Sequence, residues 1–161
     1  MQCPFCQLPS ERIIAQNQHA FAIRDAYPVS PGHTLIIPRR HIASFFDTTP
    51  DERQALLELL DWAKADLESC PPPAEQFNHI AEPIKEYCVR TETPRLYRVT
   101  NWNDPKNRKP HAYNIGINDG AAAGQTVPHL HIHLIPRYRG DVTDPRGGVR
   151  WVMPEKARYW E

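Results

Sequence analysis

Apolar and polar positions change period several times along this chain, and each change marks an element. Residues 13–18 and 19–25 mix apolar and polar positions over short runs and read as two short strands. Tyr27-Pro28-Val29-Ser30-Pro31-Gly32 is turn-forming, and the apolar, β-branched run at 33–37, closed by Pro38, predicts a third strand. Thr49-Pro50-Asp51-Glu52 has the form of a helix start. Thr49 is placed to cap, Pro50 takes the first helical position, and Glu52 completes a capping box. Leu56, Leu59, Leu60, Ala63 and Leu67 then recur at helical spacing until Pro71-Pro72-Pro73 ends the helix. Residues 112–117 read as a strand with Asn118-Asp119-Gly120 as its turn. Residues 129–135 alternate strictly and predict a last strand, closed by Pro136. Strands, one long helix, then strands predict an α+β fold with a mostly antiparallel sheet.

Composition narrows the picture. The chain has 161 residues, 19 basic and 19 acidic. That length suits a single domain, here residues 1–161, with enough chain to bury a core. Zero net charge argues against a nucleic-acid-coating protein, so nucleic acid is not an expected partner. No apolar run approaches the roughly 18 residues a membrane helix needs, and Met1-Gln2-Cys3-Pro4-Phe5-Cys6 lacks the basic-then-apolar form of a signal peptide. A cytoplasmic location is expected, with no membrane partner. Seventeen prolines imply many turns and short elements.

Two groups of residues carry candidate chemistry. Cys3 and Cys6 form a Cys-x-x-Cys, which supplies half of a tetrahedral metal site and equally describes two small residues in an N-terminal turn. The second group is more specific. On a strand, His129, His131 and His133 point one way, and Leu130, Ile132 and Leu134 point the other. Three imidazoles in strict alternation each need polar partners, which packing alone does not provide. A metal cluster would suit them. So would a nucleophilic imidazole flanked by imidazoles that hold an anion. The preceding loop, residues 120–127, brings Gly120, Gly124, Gln125 and Thr126 next to the row. Small residues let a phosphate approach the backbone, which favours phosphate chemistry.

These residues resemble the histidine triad (HIT) superfamily of nucleotide hydrolases and transferases, whose signature is His-φ-His-φ-His-φ-φ with φ apolar. Positions 129–135 match it in full. The likeness continues through Asn118-Asp119-Gly120, Gly124-Gln125-Thr126-Val127, Asp25, residues 31–42 and Cys3-Pro4-Phe5-Cys6. It covers residues 1–69 and 112–140. The tail 140–161 is similar to the bacterial hydrolase branch. The resemblance implies a HIT-like fold and a reaction at the α-phosphate of a nucleotide through a covalent nucleotidyl-histidine. His131 would be the nucleophile. His133 and His33 would contact the phosphate oxygens, and Gln125, Thr126 and Gly124 would position the phosphate or leaving group. Asn118 would orient the phosphate, and Asp25 would meet the ribose hydroxyls. It also implies a structural zinc held by Cys3, Cys6, His41 and His129, and a homodimer. Expected substrates are diadenosine polyphosphates or nucleoside phosphoramidates. A transferase or phosphorylase, a nucleotide-binding regulator with little turnover, and a zinc-dependent nucleic-acid module are the rivals.

The chain departs from the family at residues 71–111, where about 40 residues replace a short connection. This insertion is rich in proline, basic and aromatic residues. It reads either as an elaborated surface segment or as a basic lid, with a proline-broken helix expected over 74–88. Cys70 and Cys88 flank it without evident chemistry. In the tail, Arg137, Arg139, Arg146 and Arg150 suit either a polyphosphate or solvent, and Trp151, Tyr159 and Trp160 are candidates to cover the pocket.

Overall fold

The computed structural model describes residues 3–69 and 109–160. Most of the insertion, with Cys70, Cys88 and the helix expected over 74–88, lies outside the described residues. The fold is α+β, as the pattern predicts. Five strands form one antiparallel sheet: β1 (Ile13–Gln16), β2 (Ala20–Arg24), β3 (Thr34–Pro38), β4 (Ala112–Gly116) and β5 (Ile132–Arg137). Their order across the sheet is β1-β2-β3-β5-β4. The long helix α1 (Pro50–Ser69) connects to β3 through a single 3₁₀ turn, and a short helix α2 (Pro154–Ala157) closes the tail.

Strand boundaries differ from the sequence pattern for identifiable reasons. Residues 17–19 form a turn, because the Asn17 side-chain oxygen accepts from His19 N (3.1 Å) and Ala20 N (2.9 Å). The last strand begins at Ile132, not at His129, because residues 129–131 leave the ladder. Leu130 N instead donates to Ile42 O at 2.6 Å. The strand also runs past Pro136 to Arg137. Pro136 pairs opposite Tyr113, and its carbonyl accepts from Ser30 Oγ at 2.6 Å.

Alternation divides the sheet into two faces. Ala20, Ala22, Ile36, Ile132 and Leu134 face α1 and pack with Leu130 against Ala55, Leu56, Leu59, Ala63 and Leu67. Phe21, Ile23, Leu35 and Ile37 form a second apolar cluster, covered in part by Phe5, Leu8 and Ile13. His133, Ile135 and Arg137 alternate with the helix-facing positions of β5.

The capping box is built as predicted. Glu52 N donates to Thr49 Oγ1 (3.2 Å) and Thr49 N donates to Glu52 Oε2 (2.8 Å). Arg40, just past β3, adds a two-pronged bond to the same carboxylate, 2.7 Å to each oxygen. This guanidinium, with Thr49, holds the Glu52 carboxyl down to about 2. A carboxyl lowered on folding stabilises the fold above the ordinary carboxylate range and loses that contribution as pH falls toward 2. Glu52→Gln should therefore lower stability by about 1–2 kcal/mol at pH 7, since Arg40 is half exposed and the cap contributes about 1. The gap to wild type should narrow steadily from pH 5 to pH 3, read as the difference between the two melting temperatures.

Candidate functional site

Two sites meet where residues 129–133 pass the end of β3. At the first, Cys3, Cys6, His41 and His129 bring their ligand atoms within 4.8 Å of one another. His129 Nδ1 lies 3.4 Å from Cys3 Sγ and 3.6 Å from Cys6 Sγ, and His41 Nδ1 lies 3.2 Å from Cys6 Sγ. Ordinary Zn–S and Zn–N bonds at a tetrahedral centre separate sulfur from nitrogen by about 3.6 Å, so the spacing fits such an ion. The other ring nitrogen of His129 donates to Pro38 O at 2.8 Å. A carbonyl only accepts, so Nε2 carries the hydrogen and Nδ1 keeps its lone pair toward the sulfurs. Burial pushes the His129 imidazolium to lower pKa, which favours this neutral form. The cluster can bind a metal, and it joins the Cys-x-x-Cys to the two histidines that the resemblance implied.

The second site is the rest of the histidine row. His131 Nδ1 donates to His129 O at 2.8 Å, which leaves Nε2 as the lone-pair nitrogen of the neutral ring. The His131 and His133 ring centres are 5.0 Å apart. His133 Nδ1 lies 2.9 Å from His33 Nε2, and His33 Nδ1 lies 3.2 Å from Asp25 Oδ2. Asp25, His33 and His133 thus form a chain toward His131. With both rings neutral, His133 Nδ1–H donates to His33 Nε2 and His33 Nδ1–H donates to the carboxylate. Burial lowers His33 to about 4, against the pull of Asp25 in the other direction, and burial with the His131 neighbour also lowers His133. Both rings are therefore neutral in the free protein at pH 7.

Other expected residues stand as follows. Asp25 also caps its own turn, with Oδ1 accepting from Tyr27 N at 2.9 Å. Gln125 commits its amide to backbone, accepting from Gly120 N and donating to Ala43 O, both at 2.9 Å. The loop amides of Ala123, Gly124 and Gln125 close on Gly120 O, Ala121 O and Gly120 O, so these donors face inward and not toward a ligand. Gly124 adopts the left-handed conformation that ends the loop's 3₁₀ turn, at φ 86°. Thr126 is exposed, and Asn118 is half-buried with no hydrogen-bonded side chain among the described residues. Of the tail arginines, Arg137 is bound by Asp141 and Asn114, Arg146 by Asp144, and Arg150 by the carbonyls of Lys156 and Ala157.

Three contributors escaped the sequence reading. Phe5 packs edge-on against His131 and His129, with ring centres 5.3 and 5.8 Å apart. Its place between the two cysteines was the available signal. Asp119, read as a turn residue, clamps the loop by accepting from Ser44 Oγ (3.0 Å) and Phe45 N (2.8 Å). The Pro38 carbonyl carries no side-chain signal at all.

The fold and the row of histidines define a class, and comparison with known proteins assigns the chain to it. The HIT domain family model matches residues 7–140, so the chain belongs to the HIT family. It is 33% identical over 140 residues to an uncharacterized HIT-like protein of Mycoplasma genitalium, covering 84% of this chain and 73% of that one. It is 27% identical to an AP-4-A phosphorylase of Mycobacterium tuberculosis (86% of this chain, 55% of that one) and to a bis(5'-adenosyl)-triphosphatase of Saccharomyces cerevisiae (96% and 54%). The chain spans about half the length of these two relatives. Among solved structures, a Zn-bound histidine triad family protein from Mycobacterium smegmatis superimposes with a TM-score of 0.52 at 26% identity, covering 89% of this chain and 81% of that one. No helix among the described residues is long and apolar enough to cross a membrane.

The cluster geometry predicts that the chain binds about one cobalt(II) ion, with the intense visible absorption of a tetrahedral thiolate site. Cys6→Ser should weaken binding by at least tenfold and remove much of the thiolate-to-metal band. An unchanged spectrum would exclude Cys6 as a ligand.

Proposed function

We propose that the chain hydrolyses nucleotides at the α-phosphate through a nucleotidyl-histidine, with diadenosine polyphosphates as first substrates. The observation that carries this reading is the His131 ring. Its Nδ1 hydrogen is committed to His129 O, so Nε2 is a directed lone pair beside two further imidazoles. In the first step Nε2 attacks the α-phosphorus. A P–N bond forms, the P–O bond to the leaving phosphate breaks, and the electron pair stays on the departing oxygen. In the second step water attacks the same phosphorus, the P–N bond breaks, and a nucleoside monophosphate leaves.

His133 serves both steps. Its affinity for a proton is held down by burial and by His131. An arriving polyphosphate reverses the balance, because negative charge favours imidazolium. His133 then donates to phosphate oxygens, with His33 and Asp25 holding its ring in place. Asp25 keeps an acceptor site on each oxygen for a ribose diol. Gln125 and Thr126, with Gly124 at the end of their loop, flank the reacting phosphate, and Asn118 offers its amide to it.

The metal in this reading is zinc. Cys3, Cys6, His41 and His129 would hold it as a closed tetrahedron that clips the N-terminal turn to the histidine segment. The reading includes assembly as a homodimer.

His131→Asn should lose AMP release from diadenosine tri- and tetraphosphate by at least about a thousandfold, the scale for removing a nucleophile. Wild type should give AMP as the nucleotidyl product in the presence of inorganic phosphate. ADP formed with uptake of labelled phosphate would instead establish phosphorolysis.

A further inference from the structure

The turn of Cys3 and Cys6 holds chemistry that the proposed reaction does not use. Cys6 is exposed and Cys3 is half-buried. Both sulfurs belong to the cluster whose ligand atoms lie within 4.8 Å of one another. Two thiolates on one turn, one of them open to solvent, can do more than hold an ion. The exposed one can attack an oxidant, and the second sulfur is then within reach to close a disulfide.

Little else ties this turn to the protein. Among the described residues, the hydrogen-bond contacts from residues 3–8 to the rest of the fold run through the two sulfurs, to His41 and His129. The remaining attachment is apolar. Phe5 and Leu8 lie over the cluster of Phe21, Ile23, Leu35 and Ile37. Phe5 stands between the cysteines and meets His131 edge-on, with ring centres 5.3 Å apart. The sulfurs therefore anchor the ring that covers the candidate nucleophile.

Oxidation changes this anchor in two ways. Two ligand sulfurs across a tetrahedral zinc ion sit about 3.8 Å apart, whereas a disulfide draws them to about 2.05 Å. The turn must tighten, and Phe5 is carried on it, one residue from Cys6 and two from Cys3. A disulfide also leaves only His41 and His129 as ligands, and two imidazoles do not hold the ion as a closed set of four does.

We propose that Cys3 and Cys6 are an oxidative modification site, at which hydrogen peroxide forms a disulfide that releases the metal and lifts Phe5 from His131. The proposal rests on the zinc reading above and does not depend on the hydrolase reading. The Cys6 thiolate attacks one peroxide oxygen, the O–O bond breaks, hydroxide leaves, and Cys6 becomes a sulfenic acid. The Cys3 thiolate then attacks the Cys6 sulfur. The S–S bond forms, the S–O bond breaks, and a second hydroxide leaves. The two sulfurs lose the two electrons that peroxide gains, and two protons from solvent complete two waters.

The test treats the zinc-loaded chain with a small excess of hydrogen peroxide beside a chromogenic zinc chelator that does not strip the untreated protein. About one zinc per chain should be released, the count for one tetrahedral site. Peptide mapping should find Cys3 joined to Cys6, and the nuclear Overhauser contact between the Phe5 and His131 rings should disappear. Dithiothreitol with added zinc should restore all three. A chain carrying Cys70→Ser and Cys88→Ser should release its zinc in the same way, which assigns the chemistry to the N-terminal pair. Zinc retained after peroxide, or a disulfide that uses Cys70 or Cys88 in place of Cys3 or Cys6, overturns the proposal. So does zinc release with the Phe5–His131 contact intact. A chain that takes up no zinc at all refutes the zinc reading, and the proposal falls with it. A chain that loads zinc and loses it to the Cys3–Cys6 disulfide with the ring contact supports the proposal even where no AMP is released and the hydrolase reading fails.

Discussion

The bond from His129 Nε2 to the Pro38 carbonyl, 2.8 Å long, orders both sites at once. It sets the tautomer that turns Nδ1 toward the cysteine sulfurs. It also fixes the backbone of His129, whose carbonyl sets the tautomer of His131. One imidazole thus transmits the position of a sheet end to the metal-ligand cluster through its ring, and to the candidate nucleophile through its main chain. This geometry is available because the chain leaves the ladder at 129–131. In a regular strand the His129 carbonyl would point along the sheet to a neighbouring N–H. Released from pairing, it accepts from its own neighbour two residues on. The ring is fully buried, against Phe5 and His41, where a hydrogen bond is stronger than in water.

Around that joint the sheet separates stability from chemistry. The face under α1 is filled by small and branched apolar side chains and carries most of the core. Truncating a buried leucine there, such as Leu56, belongs to the range of about 2–5 kcal/mol. The other face is built differently. Its apolar cluster is smaller, and its covers come from the two ends of the chain: the turn of Cys3 and Cys6, and the Arg–aromatic knot of the tail. Neither cover has a regular element longer than a short helix. The capping box at Thr49 and Glu52, reinforced by Arg40, links the two faces by joining the end of β3 to the start of α1.

Much of this was legible in the amino-acid sequence where local rules act alone. The helix start needs only Thr49, Pro50 and Glu52, and the helical spacing of Leu56, Leu59, Ala63 and Leu67 gives the buried stripe directly. The inward turn of Leu130, Ile132 and Leu134 also followed from alternation. The readings that shifted depend on distant partners. His129 lies outside the last strand because Leu130 N goes to the Ile42 carbonyl and the His129 ring to the Pro38 carbonyl in place of a continued ladder. Gln125 and the loop amides were expected to face a phosphate. They bond one another and Ala43, and with Asp119 they hold the loop in shape. A sequence lists donors, but it does not say which are already used. Charges follow the same rule: most of the tail arginines are spent on carboxylates and carbonyls close by.

That accounting bears on how the site meets an anion. Arg137, Arg146 and Arg150 are committed to nearby carboxylates and carbonyls, and several loop amides are turned inward. A further means is titration. His33 and His133 are kept neutral in the free protein chiefly by burial, with the His131 imidazole adding to it and Asp25 pulling the other way. Their resting state is a row of uncharged rings that costs little to bury. In the proposed reaction a polyphosphate would bring the charge that makes protonation favourable, and the hydrogen-bonded chain from Asp25 through His33 would fix the ring that receives the proton. On that reading positive charge would arise only with the ligand in place, beside the reacting phosphorus. A permanent guanidinium would stabilise bound substrate and transition state alike. An imidazole that gains its proton with the substrate can surrender it to the departing oxygen, and that asymmetry is what a catalytic site requires.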